Sequence, residues 1–594
     1  MCDDPGNVGS DGGSVGAAVD EALCGHVVVF GFQGVGRRIV RQLSNTGHRV
    51  VVVDPLADAT QQEDLQRWGV HYLAGYGHSE DTLEAAGVAE ALAVLCVTDD
   101  DVSNIRLALL VRDVSAQVRL VVRMANSSVG RAMRSVAQPG AVLDVAELAS
   151  MSFVEAAVDR TTHTVDLGGE EFVVVTLDNT EHGSIRALWG DLAPVAVRPA
   201  DGSPTVSCPS RDDEVGPGDR LTVLGTASDY RKLGIEPEMD GASSIGPSLR
   251  RRVREALWAL SDAVDHPFRV AFAVLSLLAI VSIAILTTGY EEPDGTHMDV
   301  LDAVYFTSET IATVGFGDFY FRDQSTWLRI WAIFLILLGA TLVALATALF
   351  TNALISRRLA VSLGRQRLTG MEDHIVVIGL GSVGSKVAMD LNSAGYDVAI
   401  IDGGDGERFV PQMRALGIHV LFGDATLPET QAAAGVHRAA GVAVLTSDDL
   451  INIETGLAVR GVIGDRPVPI VLRVFSRNLA RVIDAGLDAG IARSIAELAS
   501  PWFVGAALGM EILGTFYVGH DLFMAARLTV NEGGDLDGAA LQDLGTRTRI
   551  VAIQRADGVG GLEHPPRRDT LLHAGDTAYL VGQYQDLLGL LQQS

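Results

Sequence analysis

Apolar residues along this chain fall into two kinds of run. Phe268 to Thr288 is apolar apart from Arg269, and Ile330 to Phe350 contains no charge at all. About 20 such residues cross a bilayer core, and two crossings return the chain to its starting side. The spans are therefore placed at 268–288 and 328–350. The other runs are short. His26-Val27-Val28-Val29-Phe30 and Val50 to Val53 read as buried strands, with a helical pattern between them through Leu43. A membrane portion is expected in the middle of the chain and α/β domains on either side of it.

The first α/β segment has a distinctive punctuation. Gly31-Phe32-Gln33-Gly34-Val35-Gly36 follows its first strand and Asp54 ends its second. That is the order of a Rossmann-type βαβ unit: a glycine turn, a helix whose N-terminus can face a phosphate, and an acid placed to meet a ribose. The same plan recurs at His374 to Asp402, with Gly379-Leu380-Gly381-Ser382-Val383-Gly384 and a strand ending at Asp402. A constant offset of 348 relates Gly31 to Gly379, Asp54 to Asp402, His71 to His419, Gly75 to Gly423, Thr98 to Thr446 and Asn104 to Asn452. Further on the offset becomes 350, pairing Arg123 with Arg473 and Glu147-Leu148-Ala149-Ser150 with Glu497-Leu498-Ala499-Ser500. Chance does not hold such a register, so the chain contains two copies of one domain. Each copy is followed by a smaller β-rich segment, with Arg211-Asp212 and Gly218-Asp219 in the first matched by Arg568-Asp569 and Gly575-Asp576 in the second.

Composition agrees with a membrane protein: 48% of the 594 residues are hydrophobic and the mean hydropathy is +0.26. The formal net charge of −29 argues against a nucleic-acid partner, because phosphate contacts need a basic surface. The four cysteines, Cys2, Cys24, Cys96 and Cys208, lack metal-ligand spacing and read as reduced thiols. Residues 1–24 are rich in Gly, Asp and Ser without a signal pattern and are expected to be disordered. Arg250, Arg251, Arg252 and Arg254 precede the first span and Arg357, Arg358, Arg365 and Arg367 follow the second, whereas Glu291, Glu292, Asp294 and Asp299 lie between. By the positive-inside rule both copies and both termini are cytoplasmic, in a multi-pass protein of the plasma membrane.

The segment between the spans carries the most specific signal. Asp299 and Asp302 are placed to cap and charge a short helix, 300–312, that ends at Thr313-Val314-Gly315-Phe316-Gly317-Asp318. Too short to span, that helix must be re-entrant. Such backbone is tolerated at membrane depth only when enclosed by protein or lining water. The hexapeptide resembles the T-V-G-Y-G-D selectivity filter of the tetrameric K⁺ channel family, with Phe316 in place of tyrosine. The resemblance implies K⁺ bound at Thr313, Val314, Gly315 and Phe316, and a homotetramer around one pore. It also implies that Glu309 supports the filter by meeting Asp318. In the second span Gly339 reads either as a gating hinge or as a small residue for close helix contact. Gly339, Val343, Thr347 and Thr351 form one stripe, the expected cavity wall.

The duplicated domain with its β-rich tail resembles the regulator of K⁺ conductance (RCK) domain. The fold expected is multidomain: an α-helical two-span K⁺ channel pore module (267–351) flanked by two α/β Rossmann-like RCK domains, each with a small β-rich C-terminal subdomain. Boundaries are 25–160 and 161–235 for the first copy, 373–510 and 511–594 for the second, with linkers at 236–266 and 352–372. The resemblance implies a ligand-gated potassium channel whose eight RCK domains form a cytosolic ring opened or closed by a small molecule. Gly379, Gly381, Gly384, Asp402, Asp424, Asp448 and Arg473 fall where nucleotide-binding members hold NAD(H), ADP, ATP or another nucleotide. The first copy offers Gly31, Gly34, Gly36 and Asp54 but departs at Gln33, in place of a glycine, and at Tyr76, in place of Asp424. Ca²⁺ is a weaker ligand reading from the acids at 99–101 and 448–449, since strand-end acids are more often solvated or paired. The alternative is a K⁺-uptake component of the Trk/Ktr kind, in which the ring is a separate chain. A membrane-anchored NAD-dependent oxidoreductase is disfavoured, because no catalytic His, Lys or Tyr constellation accompanies the nucleotide folds, and the chain is read as not an enzyme.

Overall fold

The computed structural model describes residues 24–160, 162–235, 266–291, 296–362, 368, 371–475, 477–486, 489–534, 536–543, 547–557 and 561–591. Most of the expected N-terminal tail, the linker arginines at 250–254, Arg365, Arg367, Glu292 and Asp294 lie outside them. Two compact units divide the chain: 1–242 with 372–594, and 243–371.

In the first unit each copy builds a six-stranded parallel sheet. Its spatial order in the first copy is 71–73, 50–53, 27–30, 93–96, 119–123, 140–143, and the second copy repeats this order from 419–422 to 491–494. Val27–Phe30 pairs on one side with Val50–Val53 and on the other with Ala93–Cys96. These strands are apolar throughout because helices cover both faces, which removes the polar alternation of a half-exposed sheet. A buried asparagine closes each sheet in the same way. Asn104 Nδ2 donates to the carbonyls of Thr98 and Arg123, and Asn452 Nδ2 to those of Thr446 and Arg473.

The glycine loops show why their spelling recurs. A Cβ on Gly31 or Gly379 would sit 2.9 Å from the backbone nitrogen of Thr98 or Thr446, and one on Gly36 or Gly384 would fall 2.2 or 1.9 Å from the preceding loop carbonyl. Close backbone contact therefore demands all four glycines, and Gly31 and Gly379 also hold φ of 98° and 97°.

The two copies share one core. Val145–Ala157 of the first copy lies against Ser382–Ser393 of the second, and Ile495–Leu508 of the second lies against Val35–Asn45 of the first. Ala149, Phe153, Leu498, Ala499 and Phe503 are fully buried where these exchanged helices meet. The β-rich tails, Thr162–Leu167 to Arg220–Thr226 and Glu511–Val518 to Thr577–Gln583, each form a five-stranded sheet. Phe172, Phe516, Phe523 and Tyr579 join the two tails in a second shared cluster. At one point backbone touches backbone: a Cβ on Gly441 would lie 1.9 Å from the Ala157 carbonyl oxygen. Gly441→Ala is expected to force the exchanged helix outward at a cost of roughly 1–3 kcal/mol, read as a thermal-melting temperature lowered by several degrees.

Among the described residues the second unit has three helices, His266–Gly289, Val300–Ile311 and Thr326–Ser362. Spans Val270–Gly289 and Thr326–Leu349 are long and apolar enough to cross a membrane. Leu277, Ile280, Ile330, Ile333 and Leu337 face outward in the isolated subunit, an apolar surface suited to lipid or to other subunits rather than water. Leu278, Leu286, Phe306, Leu328 and Leu335 hold the three helices together. The last helix, 37 residues, is about 55 Å long at 1.5 Å per residue and so overreaches a bilayer core of about 30 Å.

Candidate functional site

The short helix Val300–Ile311 begins beside Asp299, which stands at the capping position but makes no side-chain cap bond. Its other end is tied tightly: Thr313 N–H donates to the Thr310 carbonyl at 3.1 Å and Val314 N–H to the Glu309 carbonyl at 2.8 Å. From there the backbone alternates, with φ of 59° at Thr313, 60° at Gly315 and 83° at Gly317 and ordinary φ between them. No regular strand does this. For the β-branched Thr313 the left-handed region is strained, and such strain persists only where the surroundings impose it. A Cβ on Gly315 or Gly317 meets nothing within 4 Å, so glycine is needed there for conformation rather than for room.

Two side chains of the short helix brace this segment. Glu309, 6% exposed, accepts from Phe316 N–H at 3.3 Å, and Tyr305 donates its hydroxyl to Asp318 Oδ2 at 3.1 Å. The Tyr305 ring stacks on Phe316, with centroids 6.4 Å apart and planes 9° apart. The expected meeting of Glu309 with Asp318 is thus replaced by separate donors, a backbone amide for one acid and a tyrosine for the other. Tyr305 was missed in the sequence reading; its spacing of one helical turn before Glu309 is the signal that could have found it. Gly339 lies inside an unbroken helix, where a Cβ would approach Ile311 Cγ1 to 3.2 Å. In this conformation it serves close contact with the short helix.

In the α/β copies the strand-end acids organise the glycine loops. Asp402 Oδ2 accepts from Leu380 N–H at 2.7 Å and Oδ1 from Gly404 and Gly406 N–H at 2.8 and 3.0 Å. Asp54 binds Phe32 and Leu56 N–H likewise. Three of about four lone-pair directions on Asp402 are filled, leaving little for a ribose.

The middle glycine separates the copies. Gly381 has an ordinary φ, and a Cβ on it would meet nothing within 4 Å, so neither turn nor contact explains it. Space above a helix N-terminus is what it provides. Its counterpart Gln33 fills that space and lies 3.4 Å from the amide of Gln61. A second difference lies beside it. Arg123 forms an ion pair with Asp99, but the residue matching Asp99 at the offset of 348 is Ser447. Arg473 accordingly has no ion pair among the described residues. Its Nε is buried without a hydrogen-bond partner, and its guanidinium lies 5.0 Å from the centre of the Phe475 ring. Burial lowers the Arg473 pKa from its ordinary value. The exchange of Asp99 for Ser447 is readable from the sequence register, though only the buried guanidinium gives it meaning.

Asp424 is exposed and accepts from Thr426 N–H and its hydroxyl, which lower its pKa. Asp448 caps the helix Asp449–Ile463, and Asp449 accepts from Phe475 N–H. In the first copy Asp99 pairs with Arg123, Asp100 caps the helix Asp101–Val114, and Asp101 accepts from Ala125 and Asn126 N–H. The acids weighed for Ca²⁺ are thus spent on backbone and arginine, and no group of three or more ligating side chains occurs among the described residues. Gln33 and Gly34 of one copy and Ser382, Ser447 and Arg473 of the other line a single cavity of about 1300 Å³ between the copies.

Comparison with known proteins matches the TrkA-N domain at residues 27–139 and again at 375–494, and an ion channel domain at 271–356. Two TrkA-N (RCK) domains therefore flank one pore domain. Potassium channel protein 1 of Methanocaldococcus jannaschii is 22% identical over 330 residues, 53% of this chain and 93% of that protein. An uncharacterized protein of Methanothermus fervidus is 24% identical over 274 residues, 44% of this chain; the match spans only 38% of that protein's length. The solved GsuK channel bound to NAD covers 97% of this chain and 80% of its own, at 17% identity and a TM-score of 0.47.

Proposed function

We propose that this chain, with two RCK domains around one ion-channel domain, is one subunit of a ligand-gated potassium channel. The observation that carries the reading is the alternation of left-handed φ at Thr313, Gly315 and Gly317 directly after a re-entrant helix. In a regular strand successive carbonyls point to opposite sides. Reversing φ at every second residue turns alternate peptides over and brings the carbonyls to one side, where a ring of them can replace the water shell of K⁺. One two-span subunit cannot enclose an ion path, so four copies supply the ring, with the glycine segment outward and both RCK copies and both termini in the cytoplasm of the plasma membrane. The short helix directs its negative C-terminal end toward the path, which favours a cation there.

Gating belongs to the second copy. Its glycine loop opens at Gly381 onto free space, Arg473 makes no ion pair among the described residues, and it follows the long span by a linker of about ten residues, 363–372. A nucleotide such as ADP, ATP or NAD(H) held there controls the pore if it binds the open and closed rings with different affinity. The first copy, with Gln33 and the Arg123–Asp99 pair in the corresponding places, completes the ring. Liposomes loaded with K⁺ and diluted into Na⁺ medium test this reading. The expected result is an inside-negative potential whose rate of onset changes with added nucleotide; a wild-type protein that dissipates both gradients together contradicts it.

A further inference from the structure

The cavity between the two copies is lined by more cations than acids. Arg37, Arg38, Arg41, Arg67, Arg123 and Arg473 line it, against Asp64, Asp99 and Asp144. Counting also Glu497, which pairs with Arg38 at 3.5 Å from outside the lining, cations outnumber acids six to four in a chain whose formal net charge is −29. Five of the six arginines belong to the first copy and only Arg473 to the second, whereas the open glycine loop belongs to the second.

The placement of the first copy's arginines carries the argument further. Arg37 and Arg38 stand in the opening turn of the helix Val35–Asn45, which has no acid in that turn and no side-chain cap. Cations at the positive end of a helix are unfavourable unless an anion offsets them; Asp64 pairs with Arg37 and Glu497 with Arg38, which leaves the unbalanced charge with Arg41. Arg41, one turn on from Arg37, lies over Trp68 at 5.8 Å and has no acid partner among the described residues. Facing them across the cavity are Ser382, in the first turn of the second copy's helix, Ser447 and the unpaired Arg473.

We propose that this cavity is one composite site for a nucleotide bearing a diphosphate. The second copy's loop and Arg473 seat the ligand, and Arg41 of the first copy, with Arg37 one turn before it, neutralises its phosphates. The first copy has no ligand of its own; it is the cationic half of its partner's site. The inference rests on nucleotide binding by the second copy and adds two consequences, a stoichiometry of one ligand per chain and a dependence on residues of the other copy. Because the ligand bridges two surfaces that share a core, its charge acts on the spacing between the copies as well as on the loop beneath it.

Calorimetry on the full-length protein in detergent tests the inference, with ADP and AMP as probes and Arg37→Gln, Arg41→Gln and Arg473→Gln as variants. Arg41 is solvent-facing and makes no ion pair among the described residues, so circular dichroism melts of Arg41→Gln should match wild type, whereas Arg37→Gln also breaks the pair with Asp64 and is read against its own melt. The expected result is one ADP per chain, affinity lowered about tenfold by Arg37→Gln and by Arg41→Gln, and a smaller loss for AMP. Added salt should weaken ADP binding to wild type more than to Arg41→Gln. Two ADP per chain, or unchanged affinity in both first-copy variants while Arg473→Gln abolishes binding, overturns the composite site and leaves the second copy as the sensor. If wild type binds neither ADP nor AMP, the nucleotide reading falls as well.

Discussion

Gly315→Ala is expected to abolish K⁺-selective flux while leaving the subunits assembled. The built Cβ at this position meets no atom within 4 Å, so the substitution creates no clash and removes no contact that holds the fold. What it changes is the preference of the backbone. At φ 60° an alanine is disfavoured by roughly 1–2 kcal/mol, and in a tetramer that bias acts four times around one axis. The peptide relaxes to ordinary φ, its carbonyl leaves the ring, and a dehydrated K⁺ loses ligands it cannot replace. Thr313 shows that the segment already carries one strained residue, so little tolerance remains for a second. Size-exclusion chromatography should give the wild-type elution volume and liposome assays no selective K⁺ flux. Selective flux that survived would remove the alternating backbone as the basis of selectivity.

Asp402→Ala is expected to remove nucleotide control and to loosen the second glycine loop. Its carboxylate accepts from three backbone amides, those of Leu380, Gly404 and Gly406, and is 6% exposed. Alanine leaves those donors unsatisfied in a buried place, at about 1–3 kcal/mol for each that finds no water. Amide hydrogen exchange should quicken at residues 379–406, and the nucleotide effect on flux should vanish although Asp402 has little capacity left to touch a ligand. Asp402→Asn, which keeps one acceptor oxygen, should lose only part of both. The equivalent Asp54→Ala should loosen the first loop without abolishing nucleotide control, because Gln33 occupies the space above that loop. Equal loss of control in both variants would contradict the asymmetry between the copies.

The architecture was legible because its signals are local or periodic. A charge-free span, a hexapeptide with two fixed glycines and a register held from Gly31 to Asn104 each determine structure over short distances. What escaped the sequence lies in contacts between distant segments. Nothing near Val145 announces that its helix will lie on the second copy, and the apolar pattern of Ile495–Leu508 fits any buried helix. The acids misled in a consistent way. Asp402 and Glu309 look available for a ribose or a carboxylate partner, yet each binds backbone N–H groups that folding would otherwise leave buried and unpaired. Gln33 shows the converse: its departure from the glycine pattern was readable, but its meaning needed Gln61 placed across the cleft.

Recording single channels from the purified wild-type protein in a planar bilayer, with K⁺ on one side and Na⁺ on the other, tests the central claim most directly. Backbone carbonyls gathered on one side of Thr313 to Gly317 predict current carried by K⁺ with a reversal potential displaced strongly toward the K⁺ equilibrium value. A reversal potential near zero under the same gradient, or no ion current from assembled protein with or without nucleotide, would contradict it.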